Sequence, residues 1–394
     1  MIYCYQQKTP ERIHFMDIFS LICIMFAASV CLNDSLNPIA LYVAIPCAFI
    51  WSVSQYNILL KNPYIKILTT LYVWICLCYP FAENTTLANM ELKRILGAYI
   101  LCFSIASLAT KRKIIPWLYI IYIILLGAAW WYAKNNILTI IDFGNERLND
   151  DKLNANTLAY YTFYVTIAIY ILGEILKGKK RTIFRILLFG VVLLSFITAI
   201  YTGSRQVLII QGPLLAALCW VRYITNSSKS ILIILIAICI GIYAFKKYGA
   251  DIYENSTLKK RSEIGVKDDT RYDIAVECLK IGAHSPLVGY GPGNITRQVS
   301  SHHGAHNTYL ELFVNTGLPG VLTFIFMIYT YIKRQYKQWR HSRDKMFLIF
   351  IIFGLFWMID QIFYSFYGDL WLMSFFILVA SHSEQYYYNN YDTK

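Results

Sequence analysis

Three side chains stand where an apolar phase would meet a polar substrate: Arg205, Arg271 and His306. Arg205 follows Ile200-Tyr201-Thr202-Gly203-Ser204, the close of one apolar block, and opens the next. With Ser204 as N-cap, its guanidinium lies beside the free N–H groups of a helix start, which favours an anion nearby. The competing reading is an arginine snorkelling to lipid phosphates. Arg271 heads Arg271-Tyr272-Asp273-Ile274-Ala275-Val276-Glu277-Cys278-Leu279-Lys280-Ile281-Gly282. His306 heads His306-Asn307-Thr308-Tyr309-Leu310-Glu311, where an imidazole can accept a proton near neutral pH. His302, His303 and His306 could also hold zinc, but the run around Gly304 offers no firm helical spacing for a ligand set. Glu311, one and a half turns on, reads as a solvated face. Asp142, Asp360 and Asp369 lie at or near the ends of apolar blocks, and Glu174 sits close to Lys177. A proton-coupled transporter would need carboxylates in mid-span, so that reading is weak.

Such groups need elements to hold them, and the chain supplies apolar blocks of helical length. Twelve candidate spans are predicted, at 13–31, 38–54, 65–81, 92–110, 114–132, 156–176, 182–200, 206–222, 230–248, 306–332, 346–363 and 367–382. With the N-terminus inside, 21 Lys and Arg fall in inner segments and six in the short outer connections. That asymmetry puts both termini in the cytoplasm and the segment 249–305 outside. The chain then divides into spans one to nine (1–248), a large outer segment (249–305), and spans ten to twelve with an inner C-terminus (306–394). The outer segment is too short for its own core and must pack on the membrane domain. Within it, Asp268-Asp269-Thr270 caps an amphipathic helix whose apolar stripe is Ile274, Cys278 and Ile281. Gly289-Tyr290-Gly291-Pro292-Gly293-Asn294 makes a tight turn, and Gly317-Leu318-Pro319-Gly320 breaks the helix that His306 begins.

Composition agrees. The 394 residues are 57% hydrophobic and only 15% charged, with a net charge of +13 and a mean hydropathy of +0.46. A soluble domain carries about 25% charged residues, so an ordinary cytosolic enzyme and a disordered chain are excluded. The surplus cations sit in loops between spans and read as topology determinants rather than a nucleic-acid surface. Nearly all ten cysteines lie in apolar blocks, so no structural disulfide is expected. No cleavable leader is expected either, since Asn33-Asp34-Ser35 follows the first block directly. The fold class is therefore all-α, a polytopic membrane protein.

The run His306-Asn307-Thr308-Tyr309-Leu310-Glu311 with Thr316-Gly317-Leu318-Pro319-Gly320 resembles the signature of the O-antigen ligase and O-antigen polymerase superfamily. Thr202-Gly203-Ser204-Arg205 matches in order, as does Arg271 running into His284-Ser285-Pro286-Leu287-Val288-Gly289-Tyr290-Gly291-Pro292-Gly293-Asn294. The likeness covers roughly 195–332. It implies a GT-C-like, inverting, metal-independent glycosyltransferase of the bacterial inner membrane, with its site facing the periplasm and no cofactor. The implied donor is a glycan on undecaprenyl pyrophosphate; the acceptor is lipid A–core for a ligase, or a growing glycan for a polymerase. Carried over, Arg205 and Arg271 bind the pyrophosphate, His306 is the general base, and Asn307 and Tyr309 contact substrate. Superfamily polymerases commonly have two enlarged, arginine-rich outer loops. Here only 249–305 is long, which favours the ligase; a flippase or exporter is a more distant alternative.

Overall fold

The computed structural model describes residues 13–33, 35–56, 61–143, 155–176, 178–202, 205–221, 270–300, 304–365 and 367–391. Among them every regular element is helical, in agreement with the all-α expectation. The ninth predicted span, the outer residues 249–269, Ser204 and the His302-His303 pair lie outside the described residues. Among the described residues, three helices are long and apolar enough to cross a membrane: Pro63–Phe81, Leu158–Ile175 and Thr308–Ser342. Shorter apolar helices stand at Phe15–Val30, Asn37–Val53, Ile115–Trp131 and Ile210–Cys219.

The chain divides into two compact units. The first comprises residues 1–118, 266–343 and 354–394. Its elements are α1 (Phe15–Val30), α2 (Asn37–Val53), α3 (Pro63–Leu77), α4 (Thr85–Leu108), α9 (Thr270–His284), α10 (Ile295–Gln298), α11 (Thr308–Ser342) and α13 (Leu370–Tyr391). The second comprises 119–265 and 344–353 and contains α6 (Ala155–Ile175), α7 (Gly178–Thr202) and α8 (Arg205–Cys219). Helices α5 (Ile115–Phe143) and α12 (Lys345–Asp360) run across the division.

Local chemistry explains where the helices of the first unit start. Asn62 accepts hydrogen bonds from the N–H groups of Tyr64 and Ile65, with Pro63 at the first helical position. Asn84 does the same for Thr86 and Leu87 ahead of α4, and Asp369 for Trp371 and Leu372 ahead of α13. Asp369 is thus a cap, consistent with its place at a span end. Packing then follows from apolar faces: α13 lies against α4, and α11 against α3 and α9. Trp357 and Phe376 stack at 4.1 Å, and Tyr331 meets Phe376 edge-on at 5.3 Å. On the side of α11 away from His306, Arg334 grips Glu384 with two 2.6 Å bonds, and Tyr64 donates to the same carboxylate at 2.8 Å.

The second unit is built on α6, which packs on α7 and touches α8. Its Glu174 pairs with Arg181 at 2.9 Å. The one carboxylate with any claim to a mid-span position is therefore matched to a cation near a helix end.

Candidate active site

The Gly289 turn and the broken helix interlock. Helix α11 is non-helical at Gly317, whose φ of 70° and ψ of −172° frees the carbonyls of the preceding turn. Those carbonyls are taken up from outside the helix. Tyr290 N–H donates to Val314 O at 2.9 Å, and Trp74 Nε1–H to Thr316 O at 2.9 Å. Beyond the break, Leu318 N–H donates to Pro286 O at 2.7 Å. Asn315, 1% exposed, accepts from Ile295 N–H at 3.0 Å and donates to the Tyr367 hydroxyl at 3.2 Å. Buried polar groups are mostly paired, and here the partners are the motif residues Tyr290 and Pro286 together with Trp74, Ile295 and Tyr367.

Glycine is required at two contact points. Gly289 has φ +64°, and a Cβ there would lie 2.5 Å from the backbone of Val314, Asn315 and Thr316. Gly317 has φ +70°, and a Cβ there would strike the backbone of Pro286 and Leu287. The predicted tight turn and the predicted helix break are two halves of one joint.

Helix α9 closes the arrangement. Ile274 and Cys278 are buried with Ile295, Val299, Ala305 and Val314, and Ile281 packs against them. This is the apolar stripe expected from the spacing. Burial, with the carboxylates of Glu311 and Glu277 adding to it, pushes the Cys278 thiol up to about 12. Cys278 therefore packs as a neutral apolar group. Glu277 accepts from both the N–H and the hydroxyl of Ser300, at 2.9 and 3.0 Å, tying the outer segment back to α9.

His306 is half-buried and has φ +49°, one of two described non-glycine residues with positive φ. A left-handed conformation at such a residue costs about 1–3 kcal/mol. Helix α11 begins two residues later at Thr308, with Asn307 as N-cap, rather than at His306 as the break suggested. Asn307 Oδ1 accepts from Tyr309 and Leu310 N–H at 2.9 and 3.1 Å. The Tyr309 hydroxyl donates to Met358 O at 2.9 Å. Thr308, fully buried, donates its N–H to Gln361 O at 2.9 Å and its hydroxyl to Gln361 Oε1 at 2.7 Å.

Glu311 departs from expectation. It is 8% exposed, not a solvated face. Its carboxylate accepts from Ser365 Oγ at 2.5 Å and from the backbone N–H of His306. Close by, Arg94 pairs with Glu91 at 2.7 Å and lies 5.7 Å over the Tyr367 ring, with Gly368 leaving room for its guanidinium. Charge counting reads Arg94 only as an outer-loop cation. The Glu91–Arg94 spacing of three was the available signal for the pair; nothing in the sequence points to Ser365.

Arg271 sits in the first turn of α9, half-buried, in the unit that contains His306, Asn307 and Tyr309. Arg205 is the first residue of α8, as the spacing predicted, and belongs to the second unit. Among the described residues no group of three or more His, Cys, Asp or Glu side chains is placed to hold a metal ion.

Arg205, Arg271 and His306 all fall within one matched segment: residues 190–325 match the family model described as O-Antigen ligase. This segment is similar to the O-antigen ligase family. No match was found among curated proteins. The O-antigen ligase-family match reaches from the end of α7 through the Gly289 turn to the helix beyond Gly317. It therefore takes in both halves of the interlocked joint, and the family is one of membrane enzymes of the glycosyltransferase kind.

Proposed function

We propose that the chain is an O-antigen ligase, transferring a glycan from undecaprenyl pyrophosphate to lipid A–core at the outer face of the bacterial inner membrane. The observation that carries this reading is the coincidence of the O-antigen ligase-family segment with the three candidate residues of the sequence, Arg205, Arg271 and His306. The reading includes the twelve-span topology with both termini inside. It also includes the ligase preference, which rests on a single long outer segment.

The chemistry is an inverting displacement. The acceptor hydroxyl oxygen forms a bond to the anomeric carbon as the bond from that carbon to the pyrophosphate oxygen breaks. The bonding pair leaves on the pyrophosphate, and the acceptor proton passes to the His306 imidazole. Arg205 and Arg271 meet the charge that develops on the leaving group, where fixed donors lower the barrier most. The planar guanidinium fork suits phosphate oxygens better than a lysine ammonium. An imidazole is the side chain suited to taking a proton from a hydroxyl nucleophile.

A lipopolysaccharide gel of a deletion strain tests the assignment. Core without ladder, with undecaprenyl-linked polymer accumulating, is the ligase result. Core bearing a single repeat unit would instead assign the chain as a polymerase using the same donor, and an unchanged ladder would remove both.

A further inference from the structure

We infer that Glu311 is a positioning residue for His306, its carboxylate holding the histidine backbone in the left-handed turn that starts α11. The inference rests on His306 being the base. A non-glycine residue with φ +49° persists only where its surroundings over-determine it. Here the determinant is visible. The Glu311 carboxylate accepts the N–H of His306 and, at 2.5 Å, the hydroxyl of Ser365. A Cβ on Gly304 would lie 3.1 Å from Glu311 Oε1, so the chain just before His306 is moulded against the same carboxylate.

One buried group thus joins three pieces of chain: the 304–306 segment, the first turn of α11 and the connection leading to α13. A carboxylate suits this role because it is acceptor-only and serves two donors at once. A glutamine has the same shape, but its neutral carbonyl is a weaker acceptor for the His306 N–H than a carboxylate, and its NH2 would have to donate to a Ser365 hydroxyl turned away from it. Space-filling alone would tolerate that change; positioning would not.

The test is a double-mutant cycle on the purified full chain in lipid nanodiscs. Undecaprenyl-pyrophosphate-linked glycan and lipid A–core from the host serve as substrates, and release of undecaprenyl pyrophosphate is read per folded protein. Glu311→Gln is expected to lower kcat about 10- to 100-fold, the scale of a small displacement of a catalytic group. The donor KM should change less than about twofold, since the proposed mechanism gives donor binding to the two arginines and only the base to Glu311's care. In a His306→Ala background, Glu311→Gln should add no further loss, because the group it positions is gone. Multiplying losses, or a normal kcat for Glu311→Gln while His306→Ala is impaired, would overturn the positioning role alone. Normal turnover by His306→Ala would overturn the base reading and this inference with it. Should Glu311→Gln fail to fold, Ser365→Ala removes one of the two donors. It is expected to show a smaller kcat loss with the same non-additivity, and additivity there would overturn the inference equally.

Discussion

In the proposed reaction, His306 serves the nucleophile and Arg205 and Arg271 the leaving group, and that division can be measured. Arg→Ala at either arginine is expected to cost about 2–4 kcal/mol of transition-state stabilisation, roughly 30- to 1000-fold in rate. Arg205→Lys keeps the charge but loses the fork, so strong impairment is expected there as well. His306→Ala should lower turnover and leave donor affinity nearly unchanged, because the base acts on the acceptor. In vitro transfer by purified variants, with donor affinity measured alongside, separates this from a purely structural role. Reduced protein with normal activity per molecule would remove the site. Glu311 shows why composition can mislead at this scale. A carboxylate near a helix start reads as solvated, yet it is 8% exposed and doubly bonded.

At the scale of elements, the joint between the Gly289 turn and the Gly317 break is the decisive structure. Both glycines have positive φ, and both approach backbone too closely for a side chain. Gly289→Ala and Gly317→Ala each add left-handed strain of about 1–3 kcal/mol, on top of the clash. Both should therefore lower the thermal unfolding temperature in detergent. An unchanged unfolding temperature for both would show that the joint is not a determinant of stability. Trp74→Phe is a milder probe, since it only removes the donor to Thr316 O, a hydrogen bond worth about 1 kcal/mol. The two glycine motifs were legible as a turn and a break from residue type alone, because glycine's conformational freedom is local. That they grip each other was not legible, because contact between positions so far apart in the chain is a tertiary fact.

At the scale of the whole molecule, the charge asymmetry of 21 against six is the ground for the proposed topology with 249–305 outside. A reporter fusion after Ser262 is expected to report a periplasmic location, and a cytoplasmic signal there would sink the twelve-span arrangement. In the proposed mechanism the two arginines face the pyrophosphate in place of a divalent cation, so full transfer is expected in EDTA. Activity lost in chelator and restored by magnesium or manganese would count against the arginine mechanism.

The sequence by itself determined the helical class, the membrane setting, the apolar stripe of α9 and the places of Arg205 and Arg271 in the first turns of their helices. Each of these is written in local periodicity, residue type or charge count, which operate within a few turns of chain. Only the tertiary structure decided that α11 starts at Thr308, that His306 takes a left-handed turn, and that Ser365 reaches Glu311 across 54 positions. Burial and long-range hydrogen bonds depend on which surfaces meet, and no local pattern encodes the partner.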